Sequence, residues 1–140
     1  MAVRVEQVTG RQFAELISPA IRDLLKEDEL AVMENAMAKS TDVWMVSDRE
    51  MIGITGVAPD TLLARDAFLW LYTNPFNTRI TVGAMKATKQ VVDNFLRRYD
   101  RLVGYCETAN VKSQRWVSWL GADFGRADGS LIPFKIEAQR

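Results

Sequence analysis

Side chains able to do covalent or acid–base chemistry are few in this chain. One cysteine, Cys106, closes an apolar run, and the 140 residues contain no histidine. That removes Ser-His-Asp and Cys-His nucleophile pairs, and a single thiol without imidazole cannot supply the N and S ligands of a zinc site. Cys106 is therefore expected as a small buried hydrophobe, with no metal ligands and no catalytic residue assigned. Glu107 is a carboxylate just past a strand end, where its ordinary fate is to be solvated. No acid/base pair emerges from it and the phenols of Tyr99 and Tyr105.

Charge and aromatic content point to surfaces rather than to chemistry. Lys86, Lys89, Arg97, Arg98 and Arg101 lie along one region, but Asp93 and Asp100 dilute the field, and 18 basic against 18 acidic residues leave no net charge. Nucleic-acid association is accordingly not expected; a steep salt dependence of binding would revive it. Trp44, Trp70, Trp116 and Trp119 all read as core residues. Trp119 is the one that could project outwards and anchor a partner.

These residues must be positioned by elements that the hydrophobic periodicity outlines. Val3, Val5 and Val8 predict a short strand ended by Thr9-Gly10. Phe13, Leu16, Ile17, Ala20, Ile21, Leu24 and Leu25 then recur at helical spacing, with a break at Pro19, and Leu30, Met33 and Met37 carry a second helix to about Lys39. Val43–Val46 and Met51–Ile54 read as a hairpin, and Ala67–Tyr72, apolar on both faces, as a third, central strand. A helix over Arg79–Arg98 buries Ile80, Ala84, Ala87, Val91, Phe95 and Tyr99. Leu102–Cys106 is a strand, Asn110–Leu120 a helix stopped by Gly121, and Asp123–Arg126 with Leu131–Ile136 a last hairpin turning at Asp128-Gly129. The order β-α-α-β-β-β-α-β-α-β-β predicts one α/β domain, residues 1–140, with a mixed central sheet and helices on both faces. No apolar run approaches the ~20 residues of a membrane helix. With one cysteine and no signal-peptide pattern at the start, a reducing compartment is expected, the cytoplasm by default.

This order, together with Asn110, Ser113, Trp116, Leu120 and Gly121 and the Ala122-Asp123-Phe124 that follows, resembles the GNAT acyltransferases, which move an acetyl group from acetyl-CoA to an amine. The resemblance implies a GNAT-like fold. It also implies a CoA cleft with contacts at Thr73, Asn74, Gly83, Asn110 and Ser113. Two departures accompany it. Arg79 and Thr81 stand where the family's phosphate-cradling glycines are expected, leaving Gly83 as the one match, and Val117 stands where many members carry the tyrosine that protonates the CoA thiolate. Asn110 and Gly121 also serve as ordinary helix cap and stop.

With an aromatic third strand ending in Thr73-Asn74, a basic long helix ending near Tyr99-Asp100, and the stretch from Asn110 to Gly121, the chain further resembles a narrower group, the small internal virion proteins of podovirus-type phages and prophages. That resemblance implies a non-catalytic interaction module without a cofactor. Its partners would be other phage or virion proteins or a further copy of itself, and its location the bacterial host cytoplasm or the virion interior. The alternative is an acetyl-CoA-dependent N-acetyltransferase with an atypical CoA loop, positioning its reactants and leaving the thiolate to be protonated by water.

Overall fold

In a computed structural model, the structure describes residues 3–8, 31, 34–36, 38–48, 50–59, 61, 63–73 and 81–138. Seven strands form one sheet: β1 (Arg4–Gln7), β2 (Asp42–Asp48), β3 (Glu50–Pro59), β4 (Asp66–Thr73), β5 (Arg101–Glu107), β6 (Asp123–Phe124) and β7 (Leu131–Glu137), in the spatial order β1-β2-β3-β4-β5-β7-β6. Helix α1 (Val82–Arg98) crosses from β4 to β5, and α2 (Val111–Trp119) follows β5. Every neighbouring pair is antiparallel except β4 and β5, which run parallel. A parallel pair requires a crossover connection, and α1 lies within it.

Alternation along the strands splits the core in two, because successive side chains point to opposite faces. Leu69, Leu102 and Ile136 pack with Val91, Val92 and Phe95 of α1 and with Trp116, Val117 and Leu120. Trp70, Ile54, Val43 and Val8 form the other cluster, against which Ala36 packs. Glu34–Ala36 and Ala38–Lys39 are helical. Helical residues therefore lie on both faces, as the periodicity implied. The expected helix over Phe13–Leu25 falls outside the described residues. Ser40 donates its hydroxyl to Ala36 O at 2.6 Å and accepts the Trp70 indole N–H at 2.7 Å, which ties the helical residues to β4.

Several boundaries differ from the pattern for local reasons. The long helix begins at Val82 rather than Arg79, because Thr81 is extended and its hydroxyl accepts the Ala84 N–H at 3.1 Å, capping the first turn. Strand β3 runs on past Ile54 to Pro59, through Gly53 and Gly56, which weaken the β signal but pair normally with β4. β6 is only two residues long. The final turn centres on Gly129-Ser130: Asp128 and Leu131 exchange backbone hydrogen bonds of 2.8 and 3.2 Å, and Gly129 has φ +61°. Trp119 is 42% exposed, which corrects its assignment to the core, whereas Trp116 is 2% exposed.

Candidate functional site

Parallel pairing of β4 with β5 covers only Asp66↔Arg101, Ala67↔Leu102 and Phe68↔Val103. Beyond it the strands part. Leu69–Thr73 stays paired with β3 alone and Gly104–Glu107 with β7 alone, so the sheet opens into a fork. Its base is clamped by the Arg101 guanidinium, which donates to Asp66 Oδ2 at 2.7 and 3.2 Å. Gly104 sits where the opening begins. A Cβ there would lie 2.6 Å from Leu69 O and 2.6 Å from the Phe134 ring, so any side chain would push the arms apart lower down.

Two helix N-termini lie at the end of the sheet where the fork opens. α2 starts directly after the β5 arm, with Asn110 N–H donating to Glu107 O at 3.0 Å. α1 follows the β4 arm, and its first turn lies beside Val3, at the end of the sheet where β1 begins. Open α/β sheets bind ligands at such a place, outside the carboxyl ends of parallel strands where the chain direction switches. Both N-termini also carry the partial positive charge of aligned peptide dipoles, and neither first turn holds an acidic side chain to neutralise it.

Of the residues expected at a CoA cleft, Thr73, Gly83, Asn110 and Ser113 are among those described. Thr73 is the last residue of the β4 arm, paired with Gly53. Gly83 lies exposed in the first turn of α1; a Cβ there would meet Val3 Cγ2 at 3.2 Å. Asn110 and Ser113 open α2, but the Asn110 side-chain oxygen is committed to the Ser113 N–H at 3.0 Å, so this part of Asn110 is a helix cap. Asn74 and Arg79 fall outside the described residues. Thr81 spends its hydroxyl on the α1 cap. Gln114 donates to the carbonyls of Glu107 and Thr108 at 2.8 and 3.0 Å, fastening α2 to the β5 arm.

Acid–base groups are sparse here too. Val117 is 2% exposed and apolar. Cys106 faces the helices from the β5 arm, and burial pushes its thiol above its ordinary pKa, which keeps it protonated. Tyr99 lies at the far end of α1, within 3.4 Å of the Thr41 hydroxyl, and does not reach the mouth. Glu107 is exposed at the tip of its arm. Tyr105 is 59% exposed, its ring 6.5 Å from that of Phe68 on the sheet face away from α1 and α2.

Two further residues belong to the site. The Trp116 ring reaches from α2 to β3: its Cη2 and Cζ3 lie 3.4 and 3.7 Å from where a Cβ would stand at Gly53. Tyr72, on the β4 arm, points to the opposite face, and burial pushes its phenol up to about 12. Trp116 Nε1 and Tyr72 Oη are the two buried polar side-chain atoms without a hydrogen-bond partner among the described residues. Pattern alone assigns both rings to the core; the length of the β4–β5 pairing, which makes them neighbours of an opening, leaves no mark on it.

A groove of about 650 Å³ lies elsewhere, lined by Lys89, Asp93 and Arg97 of α1, the Leu120–Gly121 turn and the end of β7. It is at the base end of the fork, since Glu137 pairs with Arg101. Of the cations on α1 and just after it, Lys89 pairs with Asp93, Arg98 with Asp42 and Arg101 with Asp66. Among the described residues no group of three or more acidic or cysteine side chains forms a metal site, and no helix is long and apolar enough to cross a membrane.

No protein-family model and no curated protein sequence matches this chain. Solved structures do. A Desulfovibrio desulfuricans protein assigned to the GNAT acetyltransferase family aligns over 97% of this chain and 99% of its own, with a TM-score of 0.70 and 16% identity. An IAA acetyltransferase of Bacillus cereus aligns over 98% and 100%, with a TM-score of 0.68 and 9% identity. A ribosomal-protein-S5-alanine acetyltransferase of Vibrio fischeri aligns over 98% and 93%, with a TM-score of 0.67 and 13% identity. At such identities the likeness is one of fold, and the mixed sheet expected from the element order is the GNAT fold.

Proposed function

We propose that this chain binds an acyl-CoA thioester in the fork and transfers the acyl group to an amine, as an acetyl-CoA-dependent N-acetyltransferase with an atypical CoA loop. The observation that carries this reading is the parallel pair that opens after three residues, with the N-termini of α1 and α2 both at the end of the sheet where it opens. Bound there, acetyl-CoA supplies a thioester already activated toward attack by an amine.

Beside Arg79 and Thr81, which stand in place of the family's cradle glycines, the residues fit such a group at three points and depart from it at one more. Exposed Val82 and Gly83 begin a helix with no acidic first-turn residue, which suits a diphosphate approaching the backbone. The unpaired edges of Leu69–Thr73 and Gly104–Glu107 suit an extended arm bearing amides. The Asn110 amide nitrogen remains for that arm while its oxygen caps α2. Thr73, Asn74, Gly83, Asn110 and Ser113 are the contacts assigned. The departure is Val117, which offers no proton, so α2 contributes no acid, and catalysis rests on holding the reactants together. No general base is assigned.

A second reading is favoured by Trp116 and Val117, which pack on the helix side of the fork with 2% exposure each. On that reading the fold is a non-catalytic scaffold. It would be an internal or assembly protein of a phage or prophage, acting on other virion proteins or on itself, in the host cytoplasm or the virion interior.

Calorimetric titration with acetyl-CoA and CoA, beside thermal melts, separates the two. Micromolar binding is expected, and ligand at a hundred times its Kd adds about 2.7 kcal/mol to folding stability. Flat titrations and an unmoved Tm at millimolar acetyl-CoA would reject the transferase and leave the scaffold.

A further inference from the structure

Trp116 is 2% exposed, yet its indole N–H has no acceptor among the described residues. Leaving a buried donor unpaired costs about 1–3 kcal/mol. Other buried polar groups of the core avoid that cost. Trp70 Nε1 donates to Ser40 Oγ at 2.7 Å, the Thr55 hydroxyl to Trp70 O at 2.9 Å and the Thr88 hydroxyl to Ala84 O at 2.9 Å.

The position of the ring accounts for the exception. Its backbone belongs to α2, which is fastened to the β5 arm, while the far edge of its six-membered ring rests against Gly53 of β3, beyond β4. The indole therefore spans the fork. Nε1 sits on the five-membered ring, nearer the helix than the edge that meets Gly53, on a side chain that passes from the β5 side of the fork to β3. A Cβ at position 53 would stand 2.9 Å from Tyr72 O, so glycine there is required by the β4 backbone, while the ring lies at ordinary contact distance from the same point. Val117, next along α2, is apolar and provides no competing acceptor.

We propose that the Trp116 indole N–H donates to a carbonyl oxygen of the acyl-pantetheine arm in the fork, making Trp116 a ligand-binding residue of this chain. The inference rests on the acyl-CoA reading above. Two carbonyls share the required chemistry, that of the thioester and those of the pantetheine amides. Either would satisfy a donor that is unmet among the described residues, and the sheet arms would hold the rest of the ligand.

The test uses the 15N-labelled full chain. Its four tryptophans give four indole N–H resonances, and Trp116→Phe identifies one by its disappearance. Acetyl-CoA is expected to move the Trp116 resonance downfield while leaving that of Trp70, already bonded to Ser40, in place. S-ethyl-CoA keeps the pantetheine amides and lacks the thioester oxygen. An equal shift with it assigns the amide carbonyl, and no shift assigns the thioester. Trp116→Phe should bind acetyl-CoA between about threefold and tenfold more weakly, the loss of one neutral hydrogen bond. If that variant does not fold, W44F, W119F and S40A, the last removing Trp70's acceptor, assign the Trp116 signal by elimination. Acetyl-CoA that binds and perturbs other resonances while the Trp116 indole stays still would overturn the inference and spare the transferase reading. Should acetyl-CoA and CoA move no resonance at all, the transferase reading fails and the inference falls with it.

Discussion

Tyr72 is the second buried polar group left unmet among the described residues, and its cost takes a different form. Its hydroxyl has no partner among them, and desolvation raises the phenol from 10.0 to about 12. Well below pH 10 the group is neutral in both states and contributes nothing to pH dependence. Above that the unfolded chain releases the proton while the folded chain keeps it, so stability falls as pH rises from about 10 to about 12. Tyr72→Phe should remove that decline. Because no hydrogen bond is lost, it should leave stability at pH 7 unchanged or raise it by up to about 1 kcal/mol. Melts at pH 7 and pH 11 measure both effects, and a variant markedly less stable at pH 7 would mean that the hydroxyl has a partner.

At the scale of elements, the two helices at the mouth are begun by side-chain caps. Thr81 and Asn110 each accept the N–H three residues on, at 3.1 and 3.0 Å. Thr81→Ala should cost about 1 kcal/mol in urea unfolding. A loss below about 0.3 kcal/mol would show that the first turn of α1 is held by other contacts. Periodicity made these helices legible, since Ala84, Val91 and Phe95 recur on one face and Asn110 and Gly121 bracket α2 with cap and stop. Hairpin β2–β3 and the central place of β4 were legible for the same reason. The reach of β3 to Pro59 was hidden by Gly56, which weakens the β signal just past Ile54, and the exposure of Trp119 by a short helix with tryptophans on two sides. The fork was not legible at all. Strand pairing is a relation between segments more than thirty residues apart, and nothing in Asp66–Thr73 or Arg101–Glu107 alone tells where their hydrogen bonds stop.

Across the whole molecule, the fork divides the sheet into an antiparallel half of β1–β4 and another of β5–β7, joined by three parallel residue pairs, the Asp66–Arg101 ion pair and the packing of α1 across the seam. Gly104 is the point where seam turns into opening. Gly104→Ala should lower stability by about 1–3 kcal/mol, because the added methyl meets backbone on one side and a packed ring on the other. Urea unfolding checks the figure, and a neutral substitution would show that the arms part more freely than their close approach implies. The seam also orders the assembly of the molecule in time. β2, β3 and β4 follow one another along the chain and can pair through short turns, whereas β4 meets β5 only after the intervening segment with α1 has closed a long loop, an entropic cost met before the contact returns any energy. Parallel pairing is then a late event in folding. The fork takes shape only when the two halves meet, so a nascent chain has no such opening until the sheet beyond residue 100 has formed.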